Sequence, residues 1–196
     1  MNASDITTET KIRDIISDPG LGDLGRLLFP VNEGYYSGDT LRDLHLTWYS
    51  HINPQKTVEI VRYMKEHTLS GEQVFFDIYS ETEKRADPAK QNTGLFFFRG
   101  KPGAKTAICN AGGGFAYVGA MHDSLPHALE LSKKGYNTFA LIYRPGAQTA
   151  CQDLARAIAF LHQNSFPLGI DMNGYSLWGG SAGARMAARL DSLGTE

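Results

Sequence analysis

Near residue 70 the hydrophobic period of the chain changes, and this change limits the fold more than any other feature. Val74–Tyr79, Leu95–Phe98, Thr106–Cys109, Thr138–Tyr143 and Tyr175–Trp178 are short apolar runs rich in aromatic and β-branched residues. Residues 121–134, 149–163 and 182–190 instead place their apolar side chains at helical spacing, and Gly135 stands just past the end of the first of these. Thr138–Tyr143 shows no polar alternation, which is the pattern of a strand covered on both faces. Strands alternating with helices predict an α/β fold over residues 71–196, with a mainly parallel sheet and helices on both faces.

Residues 1–70 read differently. Ile12, Ile15 and Ile16 form a short amphipathic stripe that stops at Asp18-Pro19-Gly20, and Leu24, Leu27 and Leu28 form another that stops at Pro30. Asn53-Pro54 is a helix start, with Asn as the cap and Pro in the first turn, and Val58, Val61 and Met64 follow at helical spacing. This predicts a helical N-terminal appendage or cap.

Composition excludes several classes. Nineteen Lys and Arg against 21 Asp and Glu give a net charge of −2, so the chain lacks the basic surface that nucleic acid requires. Two cysteines, Cys109 and Cys151, support neither a disulfide scaffold nor a four-cysteine zinc site, and both read as buried free thiols. No run of apolar residues is long enough to span a membrane. The first fourteen residues are polar and lack the apolar centre of a signal peptide. The expected location is the cytoplasm, or outside the cell if a leader has been removed. No cofactor is expected.

The 21 glycines cluster in two places. Gly179-Gly180-Ser181-Ala182-Gly183 is a Gly-x-Ser-x-Gly sequence after an expected strand and before an expected helix, the context a nucleophile elbow requires. Its turn is so tight that positions 179 and 183 tolerate little side chain, which leaves Ser181 projecting at a helix N-terminus. There the helix dipole and free N–H groups favour developing negative charge. The bland reading is a glycine-rich turn kept for close packing.

The second cluster, Asn110-Ala111-Gly112-Gly113-Gly114-Phe115-Ala116-Tyr117, also lies between an expected strand and helix. Its glycines free the backbone to turn N–H groups inward, as an oxyanion hole requires. Gly113 and Gly114 would donate, with Ala182 N–H as the other donor. Phe115, Tyr117 and His122 are the candidate substrate-binding side chains. A dinucleotide loop is the rival reading: Gly112-x-Gly114 begins that pattern, and Arg144 would suit a phosphorylated ribose, but Tyr117 stands where the third glycine belongs. His122, Asp123 and His127 raise a metal reading, but their spacing suits one helical face poorly and no third ligand is apparent, so no metal is expected.

At these residues the chain resembles a family. Asn110 to Phe115, Tyr143-Arg144-Pro145, Asp153 within an amphipathic helix, Leu168-Gly169-Ile170-Asp171 and Gly179 to Gly183 occur in the order seen in α/β-hydrolase esterases and lipases with an HGGG-type oxyanion loop. The hormone-sensitive-lipase-like and acetylxylan-esterase-like groups are the most similar. The resemblance runs from about residue 73 to residue 196. It departs at Asn110-Ala111, where the family usually has His or Pro before the glycines. It implies a serine esterase with Ser181 as nucleophile, acting on a short acyl ester such as an acetyl ester on a carbohydrate, and a structural role for Tyr143-Arg144.

A serine nucleophile needs a base, and the base needs an orienting carboxylate. In this family both follow the serine. After Ser181 the chain holds Asp191 and Glu196 but no histidine; all six histidines precede it. The chain therefore reads as the front part of such an enzyme. The expectation is that a second chain carrying the remaining strands, or a second copy, pairs along Tyr175–Trp178. A catalytically incomplete fragment or binding module is the alternative. His122 is the best upstream substitute for the missing base.

Overall fold

Five strands form one twisted sheet, and what covers each strand follows from its sequence. The computed structural model describes residues 1–193. Helices α1 (Ile12–Ile16), α2 (Leu24–Leu27) and α3 (Pro54–Leu69) fall where the N-terminal apolar stripes place them. Asn53 caps α3, its side-chain oxygen accepting from Gln55 N–H at 3.0 Å and Lys56 N–H at 3.1 Å. A two-stranded hairpin of β1 (Tyr36–Ser37) and β2 (His45–Leu46) interrupts this helical half. Its strands are too short to show in the period of the sequence.

The run from Val74 yields only a two-residue strand, β3 (Phe75–Phe76), rather than one reaching Tyr79. Ser80 stops it by capping α4 (Glu81–Ala86) in a reciprocal bond with Glu83. Strands β4 (Gly94–Phe98), β5 (Lys105–Asn110), β6 (Asn137–Ile142) and β7 (Asp171–Gly179) follow. Helix α5 (Ser124–Lys133) links β5 to β6; α6 (Ala147–Gln163) and the short α7 (Ser165–Leu168) link β6 to β7; α8 (Ala182–Leu193) follows β7. Helix α5 starts three residues later than its stripe predicts, because Gly119 to Asp123 form turns instead.

The strand order is β3-β4-β6-β5-β7. Strands β5, β6 and β7 are parallel, whereas β3 and β4 pair antiparallel and β4 pairs antiparallel with β6. The sheet is thus mixed, with a parallel centre and an antiparallel flank. Leu95–Phe98 is buried throughout, so its side chains carried no signal of strand direction. Register brings Phe97 beside Phe139, and their rings stack at 4.3 Å.

The crossover from β5 to β6 runs one way along the sheet, and the crossover from β6 to β7 runs back past β5. Right-handed connections then place α5 and α6 on opposite faces. Helix α3 packs on α5, and α8 packs on α6 and β7. The loops leaving β5 and β7 therefore diverge, and the C-terminal ends of these two strands are where a sheet of this order opens a crevice.

The appendage is fused to this layer. Ile6, Ile15, Leu28, Leu46, Ile60 and Met64 lie in the same hydrophobic cluster as Phe96, Ile108, Phe139 and Leu141. An almost fully buried ion pair, Lys65 to Asp18, ties α3 to the turn after α1. Burial raises the Asp18 carboxyl pKa, but the Lys65 and Gly20 hydrogen bonds outweigh it and hold the group below its ordinary value.

Candidate active site

Ser181 sits between the end of β7 and the start of α8 with φ at +50°, a left-handed conformation uncommon for a side-chain residue. The turn closes because its flanks carry no Cβ. A Cβ on Gly183 would fall 2.0 Å from the Asn110 carbonyl oxygen of β5, and one on Gly179 would fall 2.4 Å from the Gly183 carbonyl carbon. Ser181 is exposed.

The glycine loop after β5 faces this turn. A Cβ on Gly112 would lie 3.0 Å from Ser181 Cβ and 3.2 Å from the Gly180 carbonyl oxygen. Gly113 and Gly114 have φ of +130° and +62°, and Gly113 O accepts from Ala116 N–H at 3.0 Å, which curls the loop. The N–H groups of Gly113, Gly114 and Ala182 donate to no acceptor among the described residues. Gly112 N–H is engaged, donating to Asp123 Oδ2 at 2.9 Å. That carboxylate also packs against Gly180, where a Cβ would come within 2.4 Å of it, so Asp123 clamps the two loops together.

The candidate substrate side chains disperse. Phe115, with φ at +60°, turns toward a groove between α6 and α8 that Cys151 and Arg185 also line. Tyr117 is buried, stacks on Tyr35 at 4.7 Å, and donates its hydroxyl to the Thr47 carbonyl. It fastens the appendage to the glycine loop. His122 lies against Tyr49, the rings tilted by 39° with centroids 4.0 Å apart, and makes no hydrogen bond to Ser181. His127 pairs with Asp123 at 3.4 Å, and this bond raises its pKa despite desolvation. Asp123 and His127 thus pair with each other while His122 turns to Tyr49, and no group of three metal-ligating side chains occurs among the described residues.

Arg144 shows why the dinucleotide reading has no support here. Its guanidinium is buried, bonds Asp153 at 2.7 Å and Asp87 at 2.5 Å, and lies 3.3 Å from the Tyr79 hydroxyl. Four of the five N–H donors of this guanidinium are engaged inside the protein, so it is held as a structural group rather than presented to a phosphorylated ribose. Of the two thiols, Cys109 is buried, and burial pushes its pKa up to about 12. Cys151 is only half-buried, contrary to the expectation, because it lies on the open face of α6. Glu196 and the Asp191 side chain lie outside the described residues.

Sequence reasoning missed Trp48 and Tyr49. These neighbours in the appendage bracket the glycine loop: Trp48 covers Gly114, where a Cβ would fall 3.0 Å from its ring, and Tyr49 lies against Gly112 and Gly119. Trp48 is 67% exposed with φ at +71°. The available signal was an adjacent aromatic pair in a polar segment outside any apolar stripe.

Part of this chain superposes on a structure of known type. An acetyl ester-xyloside bifunctional hydrolase from Caldicellulosiruptor lactoaceticus superposes with a TM-score of 0.52 at 24% identity, over 58% of this chain and 44% of that one. The fold is a partial α/β-hydrolase fold. Residues 99–195 of this hydrolase fold match the family model BD-FAE, an α/β-hydrolase esterase family. Apo esterase 2 from Thermogutta terrifontis is similar at 24% identity with a TM-score of 0.46, over 49% of this chain and 40% of that one. The native form of that esterase aligns at 25% identity with a TM-score of 0.45, over 49% and 38%. The chain thus spans less than half the length of these solved structures. No curated protein matches it by sequence. Among the described residues no helix is long and apolar enough to cross a membrane.

Proposed function

We propose that this hydrolase fold carries the nucleophile half of a serine esterase acting on short acyl esters, acetyl esters of carbohydrates included. The observation that carries the reading is the strained Ser181 turn facing a glycine loop with unengaged N–H groups. Ser181 Oγ attacks the ester carbonyl carbon as its proton passes to a general base, and the carbonyl electron pair moves onto oxygen. The N–H groups of Gly113, Gly114 and Ala182 hold that oxyanion. Collapse expels the alcohol, which takes the proton from the base, and water then releases the acyl group by the same steps. The Ser181 hydroxyl has no side-chain hydrogen-bond partner among the described residues, and on this reading the base and its carboxylate come from outside them.

The match to an esterase family model over residues 99–195 supports this reading. The test is hydrolysis of p-nitrophenyl esters by the native protein as the cell makes it. Acetate is expected to turn over faster than octanoate, and Ser181→Ala is expected to lower kcat by at least roughly 10³-fold. Unchanged turnover in Ser181→Ala contradicts the reading.

A further inference from the structure

We propose that Tyr49, supplied by the N-terminal appendage, is an additional oxyanion donor beside Ser181; this rests on the esterase reading above. The phenol stands in a slot built for it. A Cβ on Gly112 would fall 2.4 Å from Tyr49 Oη and 3.0 Å from Ser181 Cβ, so hydroxyl and nucleophile flank the same small space. A Cβ on Gly119 would fall 2.8 Å from Tyr49 Cε2. The absence of side chains at both glycines is therefore what admits the ring, and the His122 ring holds its face at 4.0 Å.

The hydroxyl is also chemically available. It has no hydrogen-bond partner among the described residues, in contrast to Tyr117, Tyr143 and Tyr79, whose hydroxyls donate to Thr47, Ala111 and Asp153. Burial first, and then the Asp123 charge, push the Tyr49 pKa up to about 12, so the phenol keeps its proton throughout the neutral range. A protonated phenol beside a serine, in a half-buried crevice, can donate to charge that develops on a substrate oxygen. It would donate a hydrogen bond only, with no proton transferred. The glycine loop then contributes twice: its Gly113 and Gly114 N–H groups are unengaged and free to donate, and its missing side chain at position 112 makes room for a further donor from another part of the chain.

The experiment compares wild type, Tyr49→Phe and Gly112→Ala in the native protein, reading ester kcat and KM and the rate at which a fluorophosphonate labels Ser181. Tyr49→Phe keeps the ring in its slot and removes only the hydroxyl. The expected result is a fall of roughly 10²-fold in kcat and in labelling rate, with KM within about two-fold and an unchanged melting temperature, because the bond forms only in the tetrahedral state. Gly112→Ala, whose Cβ would displace the phenol, is expected to slow wild type but to add little in the Tyr49→Phe background. If Tyr49→Phe proves unstable, this non-additivity is decisive. Wild-type rates in Tyr49→Phe, or fully additive effects, overturn the Tyr49 role and leave the nucleophile standing. No labelling of wild type at Ser181 overturns the esterase reading and the donor with it.

Discussion

Ser181 and Gly183 show how much a single position can determine. Gly-x-Ser-x-Gly was legible in the sequence because the turn leaves no room for alternatives at its flanks. The structure gives the reason in one distance, 2.0 Å from a Cβ on Gly183 to the Asn110 carbonyl oxygen of β5. Backbone oxygen in a strand ladder cannot move aside as a flexible side chain can, so Gly183→Ala must shift the start of α8 away from β5. Overpacking of this kind costs about 1–3 kcal/mol. Urea denaturation of Gly183→Ala is expected to show that loss, together with loss of Ser181 labelling. A variant of wild-type stability would mean that the elbow is looser than its geometry. Tyr49 was illegible for the opposite reason. Its position depends on glycines 63 and 70 residues further along the chain, at 112 and 119, and no local pattern encodes such a distant slot.

At the scale of elements, the long apolar runs were readable and the short connections were not. Strands β4, β5 and β6 are buried almost throughout, so composition alone marks them. Direction is set by connection length and pairing, so the antiparallel flank of β3 and β4 did not show. Helix α3 was legible from its Asn53 cap and apolar stripe, but its anchor was not. Lys65 is 2% exposed and lies on an otherwise amphipathic helix, where a sequence reading takes lysine as solvated. Breaking a buried pair from one side costs about 3–5 kcal/mol. Lys65→Met is therefore expected to lose that much stability in chemical denaturation, and Asp18→Leu/Lys65→Met to recover most of it. The Asp18 carboxyl is depressed in the folded state, so its stabilisation is present above its ordinary pKa of 3.8 and is lost as pH falls through the folded value. Wild type should accordingly show a steeper loss of stability below about pH 4 than the double variant. Equal acid sensitivity would assign that loss to other carboxylates.

For the whole molecule, the appendage and the sheet share one core, and the candidate site is assembled from both. The hydrophobic period of the sequence changes near residue 70, but Tyr35, Trp48, Tyr49 and Tyr117 bind the two sides together around the glycine loop. On the other side of the site, β7 pairs with β5 along one edge and with no strand along the other among the described residues, and Trp178 is 45% exposed there. The central claim is that Ser181 is an activated nucleophile. Treating the native protein with a fluorophosphonate and mapping the adduct by peptide mass tests it most directly. The account predicts one adduct per chain on Ser181, absent in Ser181→Ala; an unmodified Ser181 in wild type, or an adduct that persists in Ser181→Ala, would contradict it.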